Sequence, residues 1–188
     1  MGKSKLEREI RSSASLILPP SIFLGPCSAA SSGPFLQANS ISHVLSIGAT
    51  PAAKVDGVEY HRLAINDSPS SSITKVCDSA CQIIDDALGS KNCNGKILIH
   101  CSAGISRSPT VVAAYLMKRH DMSLKAALGQ IIQARPQVSP NPGFIQQLKE
   151  LEVQLCGSSS LHVNELPRRE KDRIELFLDT QNALATTG

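Results

Sequence analysis

Residues 96–120 constrain this chain more than any other stretch. Lys96-Ile97-Leu98-Ile99 is apolar and β-leaning, and it runs into His100-Cys101-Ser102-Ala103-Gly104-Ile105-Ser106-Arg107-Ser108. Pro109 to His120 then follows with its apolar residues at helical spacing. The pattern predicts a strand, a tight loop and a helix start in immediate succession. Such a loop turns consecutive backbone N–H groups towards one point, and the dipole of the following helix favours negative charge there. Phosphate is the natural occupant. A thiol at the floor of that cradle loses its proton readily, because cysteine pKa falls from about 8.5 to roughly 3.5–7.5 beside helix N-termini and cations. Cys101 therefore reads as a nucleophile aimed at phosphorus.

Strands alternate with helices along the rest of the chain. Ile22-Phe23-Leu24 and His43 to Ile47 read as strands ended by Gly25-Pro26 and Gly48. Val58 to Ile65 is a further strand, leading into the turn signal Asn66-Asp67-Ser68-Pro69. A short helix is expected at Phe35 to Ala38. Ile73, Val76, Cys77, Ala80, Ile83, Ile84 and Leu88 recur at helical spacing, with Gly89 as the expected stop. Two more helices are expected over 123–134 and 142–155. The alternation predicts one α/β domain with a central, mostly parallel sheet flanked by helices, its ligand site at the carboxyl ends of the strands. The expected limits are an N-terminal arm over 1–15, the domain over 16–156, and a tail over 157–188 that is partly helical or disordered. Gly157 to Ser160 reads as a linker, and Ile174, Phe177, Leu178 and Leu184 would share one helix face.

Composition narrows the partners. A chain of 188 residues, 41% hydrophobic and 19% charged, suits one soluble domain. Trp is absent and aromatics are 3%, so the core must be aliphatic. A net charge of +3, without a basic stripe interleaved with aromatics, argues against nucleic acid. No apolar run approaches the roughly 20 residues of a membrane span. Met1 to Ser15 is charged and polar rather than a secretory leader, and Leu6 breaks a myristoylation pattern. A cytoplasmic or nuclear location is expected, with the six cysteines as thiols. None stands at CxxC spacing, so zinc is not expected.

The segment His100 to Thr110 resembles the signature loop of the cysteine-dependent protein tyrosine phosphatases, and its continuation Ala103 to Thr110 the dual-specificity branch in particular. Tyr60 to Asp67 resembles that family's acid loop, Ile17 to Gly25 its opening strand, and Arg135 to Phe144 its segment near the end of the domain. The resemblance spans roughly residues 16–155 and points to the small atypical type. It implies an enzyme that hydrolyses phosphotyrosine and phosphoserine or phosphothreonine through a cysteinyl-phosphate.

The resemblance also implies roles. Cys101 is the nucleophile. Ser102, Ala103, Gly104, Ile105 and Ser106 offer backbone N–H groups to the phosphate, and Arg107 grips two of its oxygens as only a planar guanidinium can. With that stabilisation no metal and no cofactor is needed. Ser108 donates to the Cys101 sulfur, caps the helix, or both. His100 fixes the loop and tunes the thiol. Asp67 is the proton donor for the leaving group, its plainer role being a turn former beside Ser68-Pro69. Asn141 holds the phosphate loop or caps the helix begun at Pro142. Cys77 and Cys81 are core residues, or thiols that protect Cys101 through a reversible disulfide. Cys27, Cys93 and Cys156 carry no role, and Asp78, Asp85 and Asp86 read as solvated surface.

The loop rim of Ser102, Ala103, Ile105 and Ser106 is uncharged. That favours phosphoprotein substrates, with a MAP kinase among the candidates, over polyanionic lipids. The alternatives are a phosphatase of a non-protein phosphomonoester (lipid, RNA 5′-end or glucan) and a weakly active phospho-binding adaptor. A monomer or a weak homodimer is expected.

Overall fold

This computed structural model describes residues 13–178, apart from the side chains of residues 91–93. Most of the expected N-terminal arm, and Leu184, lie outside the described residues. The strands are β1 (Ser15–Leu18), β2 (Ile22–Gly25), β3 (His43–Ile47), β4 (Glu59–Leu63) and β5 (Ile97–His100). They form one sheet in the order β1-β2-β5-β3-β4. β1 runs antiparallel to β2, and every other neighbouring pair is parallel. The expected opening strand Ile17 to Gly25 is thus a hairpin. Its chain reverses at Pro19-Pro20, which joins through a cis bond, and Ser21 N donates to Leu18 O at 2.9 Å. Prolines cannot extend a ladder, which is why the run breaks there.

Residue parity sorts the sheet into two cores, because successive strand residues face opposite sides. Ile22, Leu24, Leu45, Ile47, Ile97 and Ile99 face the larger core. Phe23, Val44 and Leu98, one residue out of phase, face the smaller one. The smaller core is roofed by two short helices, α1 (Cys27–Ala30) and α2 (Gly33–Ala38). The larger is roofed by α3 (Thr74–Cys93), α4 (Arg107–Arg119), α5 (Leu124–Ala134) and α6 (Pro142–Cys156). Burial on both faces explains why β2, β3 and β5 read as continuous apolar runs.

Local chemistry sets the helix ends. Ser32, Ser123 and Asn141 accept from Phe35 N, Ala126 N and Phe144 N respectively, at 3.4, 3.2 and 3.0 Å. Gly157 closes α6 in the left-handed region. The expected stop at Gly89 does not hold. A side chain there would meet only open space, and α3 continues to Cys93 before turning at Asn94-Gly95. Tertiary packing of Ile84 and Ala87 outweighs the roughly 1 kcal/mol helix cost of one glycine.

The chain beyond residue 156 packs back onto the domain. Leu161, Leu166 and Phe177 join the larger core, and α7 (Glu170–Leu178) lies against α5. The segment read as a linker is hydrogen-bonded at Gly157, Ser159 and Ser160. Buried Glu152 accepts from Ser159 Oγ, Ser160 N, Ser160 Oγ and Leu124 N, at 2.7–3.1 Å. Burial alone would raise the pKa of this carboxyl, but the four donors outweigh it and hold the pKa below the usual value. No helix of the described residues is long and apolar enough to cross a membrane.

Candidate active site

β5 delivers Cys101 to the carboxyl edge of the sheet, and α4 begins six residues later. Between them the chain closes a loop whose carbonyls are all held from outside. His100 Nδ1 lies 3.1 Å from Cys101 O. Cys27 N donates to Ser102 O at 3.1 Å. Arg135 donates through Nη2 to Ala103 O at 3.0 Å and through Nε to Gly104 O at 2.9 Å. Ser139 N donates to Ile105 O at 2.8 Å, and the Thr110 hydroxyl to Ser106 O at 2.8 Å. With the carbonyls turned outward, the N–H groups turn inward. Those of Gly104, Ile105 and Ser108 bond the Cys101 sulfur, as does the Ser108 hydroxyl at 3.3 Å. Gly104 sits at φ +66, and a Cβ there would lie 2.5 Å from Gly25 O. Only glycine lets the loop close against β2.

Burial at 2% exposure works against ionising Cys101, but these four donors overcome it and bring the thiol pKa below its ordinary value. The other thiols go the opposite way. Burial pushes Cys77 up to about 12, and Cys81 also upward. Both pack in the larger core at 2% exposure. Cys27, unassigned from sequence, stands close enough to couple to Cys101, and its own thiol is raised by burial first and by that neighbour second.

His100 is fully buried and its pKa is lowered by burial, so it is neutral. Because Cys101 O can only accept, the proton is assigned to Nδ1, and the Ser46 hydroxyl then donates to Nε2 at 2.8 Å. His100 acts on the loop backbone rather than on the sulfur. Ser108 lies inside α4 and is not a cap; the N-cap position belongs to Ser106, whose side chain makes no capping bond.

Arg107 spans the mouth of the loop. Nη1 donates to Gly48 O and Nη2 to Ser102 Oγ, each at 2.8 Å. Nε is buried with no hydrogen-bond partner and stands 3.8 Å from Asp67 Oδ2. Asp67 comes from the loop between β4 and α3, where the acid loop was expected. Its Oδ1 accepts from Ser106 Oγ at 2.7 Å and from Asn141 Nδ2 at 2.8 Å. Ser106 therefore leaves the rim on which sequence reasoning set it, and is buried against Asp67. Asn141 fills both roles weighed for it. It caps α6 through Oδ1, holds Asp67 through Nδ2, and reaches the loop by N–H donation to Ser106 Oγ at 3.2 Å. Ser102 and Ala103 remain exposed and Ile105 is half-buried, so the rim around the mouth stays uncharged.

Sequence reasoning missed Arg135. It is 1% exposed at the C-terminus of α5, with Nη1 donating to Ser13 O at 2.8 Å besides its two loop bonds. Burial lowers its pKa to about 10, while the nearby Cys101 sulfur opposes that. It stays charged at neutral pH beneath the loop. The available signal was an arginine, followed by proline, closing an otherwise apolar helix.

Comparisons with known proteins agree with this geometry. The family description "Dual specificity phosphatase, catalytic domain" matches residues 22–154. Dual specificity protein phosphatase 1B of Arabidopsis thaliana is 35% identical over 139 residues, covering 73% of this chain and 81% of the relative. MAP kinase phosphatase with leucine-rich repeats protein 3 of Dictyostelium discoideum is 36% identical over 147 residues, covering 77% of this chain and 17% of that much longer protein. The crystal structure of human DUSP28 superposes with a TM-score of 0.69 at 29% identity, covering 76% of this chain and 94% of that one.

Proposed function

The chain belongs to the dual-specificity phosphatase family of cysteine-dependent protein phosphatases, and on that footing we propose a two-step hydrolysis of phosphotyrosine and of phosphoserine or phosphothreonine through a cysteinyl-phosphate on Cys101. In the first step the Cys101 thiolate attacks phosphorus. The S–P bond forms as the P–O bond to the substrate side chain breaks, and Asp67 passes its proton to the departing oxygen. In the second, water attacks phosphorus and gives a proton back to Asp67. The P–S bond breaks, releasing inorganic phosphate, and the sulfur leaves as a thiolate held by the Ser108 hydroxyl.

The observation that carries this reading is the loop whose six carbonyls are held outward while its N–H groups converge on a thiol of lowered pKa. Such preset donors stabilise the charge that builds on the equatorial oxygens without reorganising during the reaction. The buried Nε of Arg107, together with Nη2, offers the parallel fork that a phosphoryl group accepts. The uncharged rim supports phosphoprotein substrates. A MAP kinase substrate is part of the proposal, supported by the name of the Dictyostelium relative. A cytosolic or nuclear setting, in keeping with the free thiols of Cys27, Cys77, Cys81 and Cys156, belongs to it too.

The test is hydrolysis of phosphotyrosine and phosphothreonine peptides in EDTA by wild type, Cys101→Ser and Asp67→Asn, with rapid-quench trapping of labelled phosphate. The reading expects label on Cys101 and turnover of both peptides. Turnover persisting in Cys101→Ser would overturn the mechanism, and a strict preference for phosphotyrosine would overturn the dual range.

A further inference from the structure

At the opposite end of the sheet from Cys101, three side chains converge that the phosphatase reaction does not use. We propose that His43, Glu59 and His61 bind a divalent transition-metal ion, zinc by chemical class. The strand register creates the cluster. His43 on β3 pairs with Glu59 on β4, and Leu45 with His61, so all three residues share the sheet face covered by α3. Their potential ligand atoms lie mutually close. His43 Nδ1 is 3.4 Å from His61 Nε2 and 3.7 Å from Glu59 Oε2, while His61 Nε2 is 3.4 Å from Glu59 Oε1. Zinc–ligand bonds of roughly 2.0–2.1 Å in tetrahedral array set donors about 3.4 Å apart. The two ring nitrogens and the two oxygens of the Glu59 carboxylate thus stand at spacings close to those of donors around one small cation.

A second observation points the same way. The Ser90 hydroxyl donates to Ala87 O at 2.7 Å, so in its 2.9 Å bond with His43 Nε2 it must accept. That assigns the His43 proton to Nε2 and the lone pair to Nδ1, the atom turned towards His61 and Glu59. A metal-binding histidine has its other nitrogen held in this way, which fixes both tautomer and ring orientation. His43 is 8% exposed, whereas the Glu59 side chain is 64% exposed. The ion would enter from the Glu59 side, exchange waters for two imidazoles and one carboxylate, and keep water at its fourth position. It would tie edge strand β4 to β3.

Zinc also binds thiolates, so the test uses the full chain carrying Cys101→Ser, stripped with chelator and titrated with zinc by calorimetry and with cobalt(II) by visible absorption. One ion per chain is expected, with cobalt bands of nitrogen and oxygen ligands and no thiolate charge-transfer band. Ser90→Ala should weaken binding about tenfold or more, and His61→Ala or Glu59→Gln more still. Zinc at a hundredfold excess over Kd should raise Tm by roughly 5–10 °C in the parent and not in His61→Ala. His61 and Glu59 are solvent-accessible, so these variants keep the test valid if His43→Ala fails to fold. Absence of binding, undiminished binding in His61→Ala, or a thiolate band would each overturn the site.

Discussion

The nucleophile loop and the acid loop meet in one cleft but are held by different means. The loop from Cys101 to Ser106 is fastened from many sides: α1 through Cys27, the end of α5 through Arg135, the following turn through Ser139, and α4 through Thr110. Beyond the grip on Asp67, the acid loop is fastened by the first turns of α6. Asn141 bonds Asp67, Gln147 bonds Ser71 O and Ile73 N at 2.9 Å each, and Gly143 lies directly against Pro69. Cys101 is 2% exposed and the Asp67 side chain 39%. An anion cradle works when its dipoles are fixed before substrate arrives. The proposed proton donor has to meet leaving groups of different reach, which suits a more exposed carboxyl held at one oxygen by Ser106 and Asn141, on a loop whose further fastening comes from α6.

The widest gap between the loops should appear in Cys101→Ser. Turnover should fall by about 10⁴-fold or more in phosphopeptide kinetics, while phosphopeptide binding by calorimetry persists, because the cradle stays intact. Arg135→Met tests whether the cradle's fastening matters as much as its nucleophile. It leaves the carbonyls of Ala103 and Gly104 unpaired and should cost about 2–4 kcal/mol in urea denaturation. Iodoacetamide offers a finer reading of the same variant. A lowered thiol pKa means that thiolate, and hence alkylation, sets in at lower pH than for an ordinary cysteine. In wild type Cys101 should react at neutral pH while Cys77, with a pKa of about 12, does not. In Arg135→Met the onset should move to higher pH.

Gly143→Ala attacks the acid loop alone, since its new Cβ would strike the Pro69 backbone. It should lower kcat for phosphothreonine peptide by about 10–100-fold. The loss should be far smaller for p-nitrophenyl phosphate, whose leaving group needs little protonation. Equal losses on both substrates would break the distinction between cradle and acid loop. The smallest effect is expected from Asn141→Ala, about 1 kcal/mol from the lost cap, with a several-fold drop in phosphothreonine turnover.

What was legible in the sequence is what lies close along the chain. Strand, loop and helix over residues 96–120 are contiguous, so Cys101, Arg107 and Ser108 could be read together. Asp67, which the structure sets beside Ser106 and Arg107, was picked out by a turn signal after a strand together with the resemblance of Tyr60 to Asp67 to the family's acid loop. Arg135 was missed because the carbonyls it grips lie 31 and 32 residues away, and nothing local marks a buried arginine. His43, Glu59 and His61 escaped for a similar reason. A search by cysteine spacing cannot see ligands assembled by the register of two parallel strands. Gly89 misled because a surface glycine inside a helix and a terminating glycine look alike until packing is known.

The docked tail shifts where the folding unit ends. The family match stops at residue 154, yet Leu161, Leu166 and Phe177 complete the core, and buried Arg173 donates to Pro136 O, next to the residue that braces the nucleophile loop. Cleavage by a protease at the Gly157 to Ser160 turn, or a premature stop codon there, would leave the catalytic residues intact. It would strip Glu152 of Ser159 and Ser160 and open the apolar surface of α5 to water. Lesions in this far segment should therefore register in a cell as lost protein abundance.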